Sequence, residues 1–135
     1  MPQTITRSVN DIVREAKAQI VEYDVAEAKV AVASGAQLID IRDIRELNRE
    51  GRVPGAYHCP RGMVEFWIDP ASSYHKAIFA EDRPFIFFCA GGMRSALAAK
   101  AAQDMGLKPV AHLIGGFGAW RDAGEPIDLQ DKTKA

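Results

Sequence analysis

The run Phe85-Ile86-Phe87-Phe88-Cys89-Ala90-Gly91-Gly92-Met93-Arg94-Ser95 constrains this chain more than any other stretch. Its apolar, aromatic half reads as a buried strand ending on a cysteine. Two glycines, an arginine and the alanine-rich Ala96-Leu97-Ala98-Ala99-Lys100 follow, which predicts a short loop and then a helix. A helix N-terminus presents unpaired N–H groups and the positive end of the macrodipole, so it favours an anion. A thiol placed there is biased towards thiolate, the reactive form of cysteine. A free thiol with a pKa near 8.5 is only about 3% ionised at pH 7, and lowering that pKa by two units takes about 2.7 kcal/mol. Loop amides and Arg94 can supply stabilisation of that order. The alternative for Cys89 is a small buried residue at a strand end. The adjoining loop and arginine favour the reactive reading.

The rest of the chain alternates strands with helices. Ser8, with Asp11 three residues on, opens an amphipathic helix over residues 9–18, and Ile20-Val21-Glu22 is a short strand. Asp24 caps a helix running through Val32, with Gly35 just past its end. A strand over residues 37–41 leads to Asp43, which caps a two-turn helix turning Ile44 and Leu47 inward and stopping at Gly51. Val53-Pro54-Gly55-Ala56 is a turn and Ala56-Tyr57-His58-Cys59 a strand. Residues 61–82 read as an insertion, with a helical turn near 62–68. Residues 84–89 are the central strand, and a helix over 95–105 buries Leu97, Ala98, Ala101, Ala102 and Met105 before Gly106 ends it. A strand at 110–113 and a helix at 116–122 complete the pattern. Short apolar strands between helices predict an α/β fold, a parallel sheet covered on both faces. Ligands bind such sheets at the carboxyl ends of the strands, where Asp40, Cys59 or Pro60, Cys89 and Leu113 fall.

Charge and cysteine usage narrow the chemistry. A net charge of −1 over 135 residues gives no footprint for nucleic acid or an anionic membrane. The two cysteines form no CxxC, and His58, His75 and His112 are scattered, so neither a disulfide framework nor a metal is expected. No run of transmembrane length and no secretion signal is visible, and the expected setting is the reducing cytoplasm.

Leu38-Ile39-Asp40-Ile41-Arg42 with Glu46, Gly51-Arg52-Val53-Pro54-Gly55-Ala56, the loop from Cys89 to Ser95, and Gly115-Gly116-Phe117-Gly118-Ala119-Trp120 stand in one order. Together they resemble a single-domain rhodanese, over about residues 20–126. The resemblance implies a five-stranded parallel sheet with helices on both faces, extended by an extra N-terminal helix. It divides the chain into a helical extension (1–19), a rhodanese-like domain (20–127) and a polar tail (128–135). It implies a sulfurtransferase in which Cys89 takes a sulfane sulfur from a donor as a persulfide and passes it to a nucleophilic acceptor. Arg94 would act with Cys89, and Ala90, Gly91, Gly92, Met93 and Ser95 would surround the sulfur. Arg61 and Glu65, directly after the third strand, are placed beside the substrate, and Asp40, Arg42 and Glu46 have structural roles near the site. No cofactor and no metal are expected. The partners are a small-molecule or protein sulfur donor and acceptor, with no nucleic acid or membrane, and a homodimer is compatible with the sequence. Family members that use thiosulfate well often carry a basic residue after the cysteine; here Ala90 and Gly91 follow, which leaves the donor open.

Two other functions compete. Related dual-specificity phosphatases have five residues between cysteine and arginine, whereas this chain has four, Ala90-Gly91-Gly92-Met93. The shorter bowl suits a sulfur atom better than a tetrahedral phosphate. A non-catalytic interaction module would be free to lose Cys89 or Arg94, and both are present. Cys59 reads as a core residue, with a resolving thiol as the less favoured reading. Phe117 and Trp120 read as core, and Phe66, Trp67, Tyr74 and His75 as an aromatic insertion packing on itself. His58 and His112 are expected to be satisfied by local hydrogen bonds.

Overall fold

The computed structural model describes residues 2–129; residues 130–135 of the expected polar tail lie outside them. Each of the first three helices starts where a capping side chain meets a free N–H. Ser8 accepts from the Asp11 N–H at the start of α1 (Val9–Lys17). Asp24 and Glu27 form a reciprocal capping box on α2 (Val25–Ala33), and Asp43 and Glu46 form another on α3 (Ile44–Glu50). Such caps satisfy donors that a helix leaves unpaired, each contributing about 1 kcal/mol.

Five parallel strands lie between the helices: β1 (Val21–Tyr23), β2 (Gln37–Asp40), β3 (Tyr57–His58), β4 (Phe85–Phe88) and β5 (Val110–Leu113). Their spatial order is β1-β5-β4-β2-β3, with β4 in the centre. All four residues of β4 are buried, as a strand covered on both faces requires. On one face Phe85, Phe87, Cys89, Ile39 and Val110 pack with Ala98, Ala99 and Ala102 of α5 (Met93–Asp104) and with Val64 and Ile68 of α4 (Val64–Ile68). On the other, Ile86, Phe88, Leu38 and Leu113 pack with Ala28 of α2 and with Phe117 and Trp120 of α6 (Gly116–Asp122). Val13 and Ala16 of α1 close against Ala96 of α5.

The insertion is two 3-10 turns, Arg61–Met63 and Ala77–Ala80, flanking α4. Within it Phe66 meets Tyr74 edge to face and the His75 ring bonds the Trp67 carbonyl at 2.9 Å, while Trp67 packs outside it, edge to face with Tyr57 of β3. Beyond α6, Asp128 pairs with Arg52 through two backbone hydrogen bonds of 2.8 Å.

Three details correct the sequence reading. Ile44 is 45% exposed, so α3 turns only Leu47 inward. Met105 is 42% exposed, while Ser95, Ala96 and Ala99 are buried with Ala98 and Ala102. An alanine-rich helix carries little amphipathic contrast, so tertiary packing sets its rotation. α5 also starts two residues earlier than expected, with Gly92 in the left-handed region at φ +103°.

Candidate active site

Cys89 ends the central strand and is 1% exposed. The turn after it draws donors onto its own sulfur. The Gly92 N–H lies 3.1 Å and the Ser95 N–H 3.4 Å from Sγ, and Sγ lies 3.5 Å from the Ser95 hydroxyl. Burial pushes the Cys89 thiol up, but the Ser95 hydroxyl and the N–H groups of Ser95, Gly92 and Gly91 outweigh it. The net shift is downward, towards thiolate.

The loop points its N–H groups inward because α6 holds its carbonyls. The Phe117 N–H donates to the Cys89 carbonyl at 2.7 Å, and the Gly118 N–H to the Ala90 carbonyl at 3.0 Å. This approach requires glycine at 116: a Cβ there would stand 2.2 Å from the Cys89 carbonyl oxygen, at φ +57°. The Gly115-Gly116 pair is thus as much part of the site as the loop itself.

Arg94 forms two hydrogen bonds, 2.9 and 3.0 Å, with the Glu46 carboxylate. Glu46 first, and then Cys89, raise the Arg94 pKa, and the Arg94 hydrogen bond in turn holds Glu46 below the usual carboxylate range. Beside this pair Asp43, Arg45, Glu46, Arg49 and Arg94 line an open cavity of about 490 Å³. Asp43 and Glu46 already pair with Arg45 and Arg94, which leaves the Arg49 charge as the excess in this cavity.

Asp40 and Arg42 form a buried pair at the end of β2. Asp40 accepts from Arg42 Nη2 at 2.8 Å and from Nε at 3.0 Å, and the guanidinium lies 4.0 Å over the Phe117 ring. Arg42 also donates to the Gly51 carbonyl at 2.9 Å, with Glu50 3.6 Å from its remaining nitrogen. This pair clamps β2, α3 and α6, whereas Glu46 serves Arg94 instead.

Arg61 and Glu65 bond to each other at 2.9 Å. Their charges act on Cys59, whose pKa is pushed up to about 12, by burial first and by Glu65 second, against Arg61. Cys59 and Cys89 are both free thiols. His58 bonds the Arg42 carbonyl at 2.7 Å.

His58, whose partner lies 16 residues away, and His112 both depart from the expectation of local hydrogen bonding, His112 the further. His112 Nδ1 lies 3.0 Å from the Ser95 hydroxyl and its Nε2 2.9 Å from the Glu22 carboxylate, partners 17 and 90 residues away in sequence. The β1–β5 register sets Glu22 beside His112, a pairing no local motif announces. Among the described residues no cluster of His, Cys, Asp and Glu is suited to a metal, and no helix is long and apolar enough to cross a membrane.

A family model described as the rhodanese-like domain matches residues 24–123. Thiosulfate sulfurtransferase 18 of Arabidopsis thaliana is 28% identical over 123 residues, covering 84% of this chain and 88% of that protein. The polysulfide-sulfur transferase homodimer of Wolinella succinogenes superposes with a TM-score of 0.71 at 27% identity, over 92% of this chain and 89% of that one. A protein of unknown function from Rhodopseudomonas palustris, described as a possible tyrosine phosphatase, reaches a TM-score of 0.90 at 59% identity, over 95% of this chain and 99% of that one. Because the matched segment runs from the cap of α2 past the end of α6 and takes in the whole cysteine loop, the chain belongs to the rhodanese-like domain family.

Proposed function

We propose that this chain is a sulfurtransferase that carries a sulfane sulfur on Cys89. The observation that carries the reading is the convergence of the Gly92 and Ser95 N–H groups on the sulfur of Cys89 itself. The thiolate attacks the outer sulfur of a donor such as thiosulfate or a persulfide. An S–S bond forms at Cys89 as the donor's bond to that sulfur breaks, and the electron pair leaves with the donor fragment. A nucleophile such as cyanide or a thiol then attacks the outer sulfur, and the pair returns to Cys89 as thiolate. The amides of Gly91, Gly92 and Ser95 and the hydroxyl of Ser95 face the charge, with Ala90 and Met93 completing the loop, and Arg94 meets the anionic donor. Asp40 and Arg42 brace the loop, Glu46 aims Arg94, and Arg61 and Glu65 border the insertion side. Residues 20–127 form the transferring unit, with α1 as its support and the cytoplasm as its setting.

The Rhodopseudomonas neighbour's description raises a phosphatase as the second reading. Against it stands the four-residue spacing between Cys89 and Arg94. Parallel assays decide: thiocyanate formation from thiosulfate or a persulfide plus cyanide, and hydrolysis of a phosphotyrosine analogue. Thiocyanate formation lost in Cys89→Ser supports sulfur transfer. Cys89-dependent hydrolysis of the phosphate ester without thiocyanate formation overturns it.

A further inference from the structure

Four side chains connect the buried sulfur, along the face of the sheet that α5 covers, to the β1 edge. Cys89 Sγ lies 3.5 Å from Ser95 Oγ, Ser95 Oγ 3.0 Å from His112 Nδ1, and His112 Nε2 2.9 Å from Glu22 Oε2. Cys89, Ser95 and His112 are buried, while the Glu22 side chain is 32% exposed at the outer end. Donor and acceptor roles follow from that end. A carboxylate only accepts, so with Glu22 as its partner His112 Nε2 carries the proton and Nδ1 is left as an acceptor. The Ser95 hydroxyl therefore donates to His112, and its oxygen is free to accept from the Cys89 thiol.

We propose that Ser95, His112 and Glu22 form a proton relay serving Cys89, an inference that rests on Cys89 being the sulfur carrier. In one concerted shift the Cys89 S–H bond breaks and its proton moves to Ser95 Oγ. The Ser95 proton moves to His112 Nδ1 at the same time. The products are a thiolate and an imidazolium, with no change in net charge and no oxidation. Ser95 then donates to the thiolate and His112 donates to Ser95, so both states are fully hydrogen-bonded. The reverse shift reprotonates Cys89 once the sulfur has left.

The route solves a problem of access. The front of Cys89 faces the loop and the Arg94 side, where an anionic donor must sit, so a proton leaving that way competes with substrate. The relay takes the proton the other way, along the α5 face towards the β1 edge. Glu22 on β1 and Lys17 on α1 are the charged groups bearing on His112, and Arg94 on α5 bears on Cys89. Burial and Lys17 lower the His112 pKa against Glu22, so the imidazole starts neutral and gives the proton back in the reverse shift.

The test is the pH profile of iodoacetamide alkylation at Cys89, located by peptide mass, in the wild type, His112→Gln, Ser95→Ala and Glu22→Gln. His112 does not touch the sulfur, so its effect must travel through Ser95. His112→Gln is expected to slow alkylation about tenfold at pH values below the thiol pKa, equivalent to about one pKa unit, with Ser95→Ala at least as slow. A His112→Gln profile superimposable on the wild type overturns the relay. Should His112→Gln fail to fold, Glu22→Gln decides from the exposed end: about threefold slowing, of order half a pKa unit, supports the relay, and an unchanged profile contradicts it. Alkylation needs no sulfur donor, so a shifted profile without sulfur transfer strikes only the functional reading. An unshifted profile with sulfur transfer intact strikes only the relay.

Discussion

Arg94 and Glu46 stand 48 residues apart in sequence and meet through two hydrogen bonds of 2.9 and 3.0 Å. The fork geometry holds the guanidinium flat beside the cysteine loop, as a single ammonium group could not. Glu46→Ala should therefore lower kcat/KM for an anionic donor about tenfold, the loss of roughly one charge-assisted hydrogen bond, mainly through KM. Arg94→Lys should not recover the activity. Steady-state kinetics check both, and an unchanged KM in Glu46→Ala contradicts this role.

Gly116 sets the distance between α6 and the loop. A Cβ 2.2 Å from the Cys89 carbonyl oxygen, at φ +57°, cannot be absorbed by a side-chain rotation. Gly116→Ala should cost about 3 kcal/mol or more, combining backbone strain with a displaced contact. Gly55→Ala is the control, since φ is +81° there but nothing lies within 4 Å. Its cost should stay near 1 kcal/mol. Urea unfolding of the two variants reads the difference.

Breaking the Asp40–Arg42 pair should be severe. Asp40→Ala leaves a fully buried guanidinium without its carboxylate, a change that costs about 3–5 kcal/mol. Replacing both, as Asp40→Ala with Arg42→Met, should recover part of that loss, and a double-mutant cycle measures it.

Stability should decline at both ends of the pH scale, for opposite reasons. Arg94 holds Glu46 below its usual range, so its contribution is complete above the ordinary glutamate pKa and is lost as pH falls through the lowered folded value. Burial raises Cys59 to about 12, so its contribution is complete below the ordinary cysteine pKa and is lost as pH climbs towards 12. Cys89, shifted down, instead adds stability as pH rises to that ordinary value. Denaturation midpoints across pH should show the acid arm flattened in Glu46→Gln and the alkaline arm flattened in Cys59→Ala. Arms unchanged in these variants would refute the assignment.

The division between what was legible in the sequence and what was not follows the range of the interactions. Ser8, Asp24 and Asp43 announce their helices because a cap acts within three residues. The strand, cysteine, glycines and arginine of residues 85–95 announce the site for the same reason. Ile44 and Met105 were misplaced because a short or alanine-rich helix does not encode its own rotation. The Glu22–His112 contact depends on β1 pairing with β5, the first strand with the last. The α6 amides on the loop carbonyls depend on a turn closing against another turn. The Gly115-Gly116 pair was the available signal for that closure, and its purpose emerges only once the Cys89 carbonyl is in place.

The most direct measurement of the central claim is intact mass after exposure to thiosulfate and, separately, to a persulfide donor. The account predicts a gain of one sulfur atom, located at Cys89, removed by cyanide and absent in Cys89→Ser. An unchanged mass with both donors, for a folded protein whose Cys89 still alkylates, would contradict it.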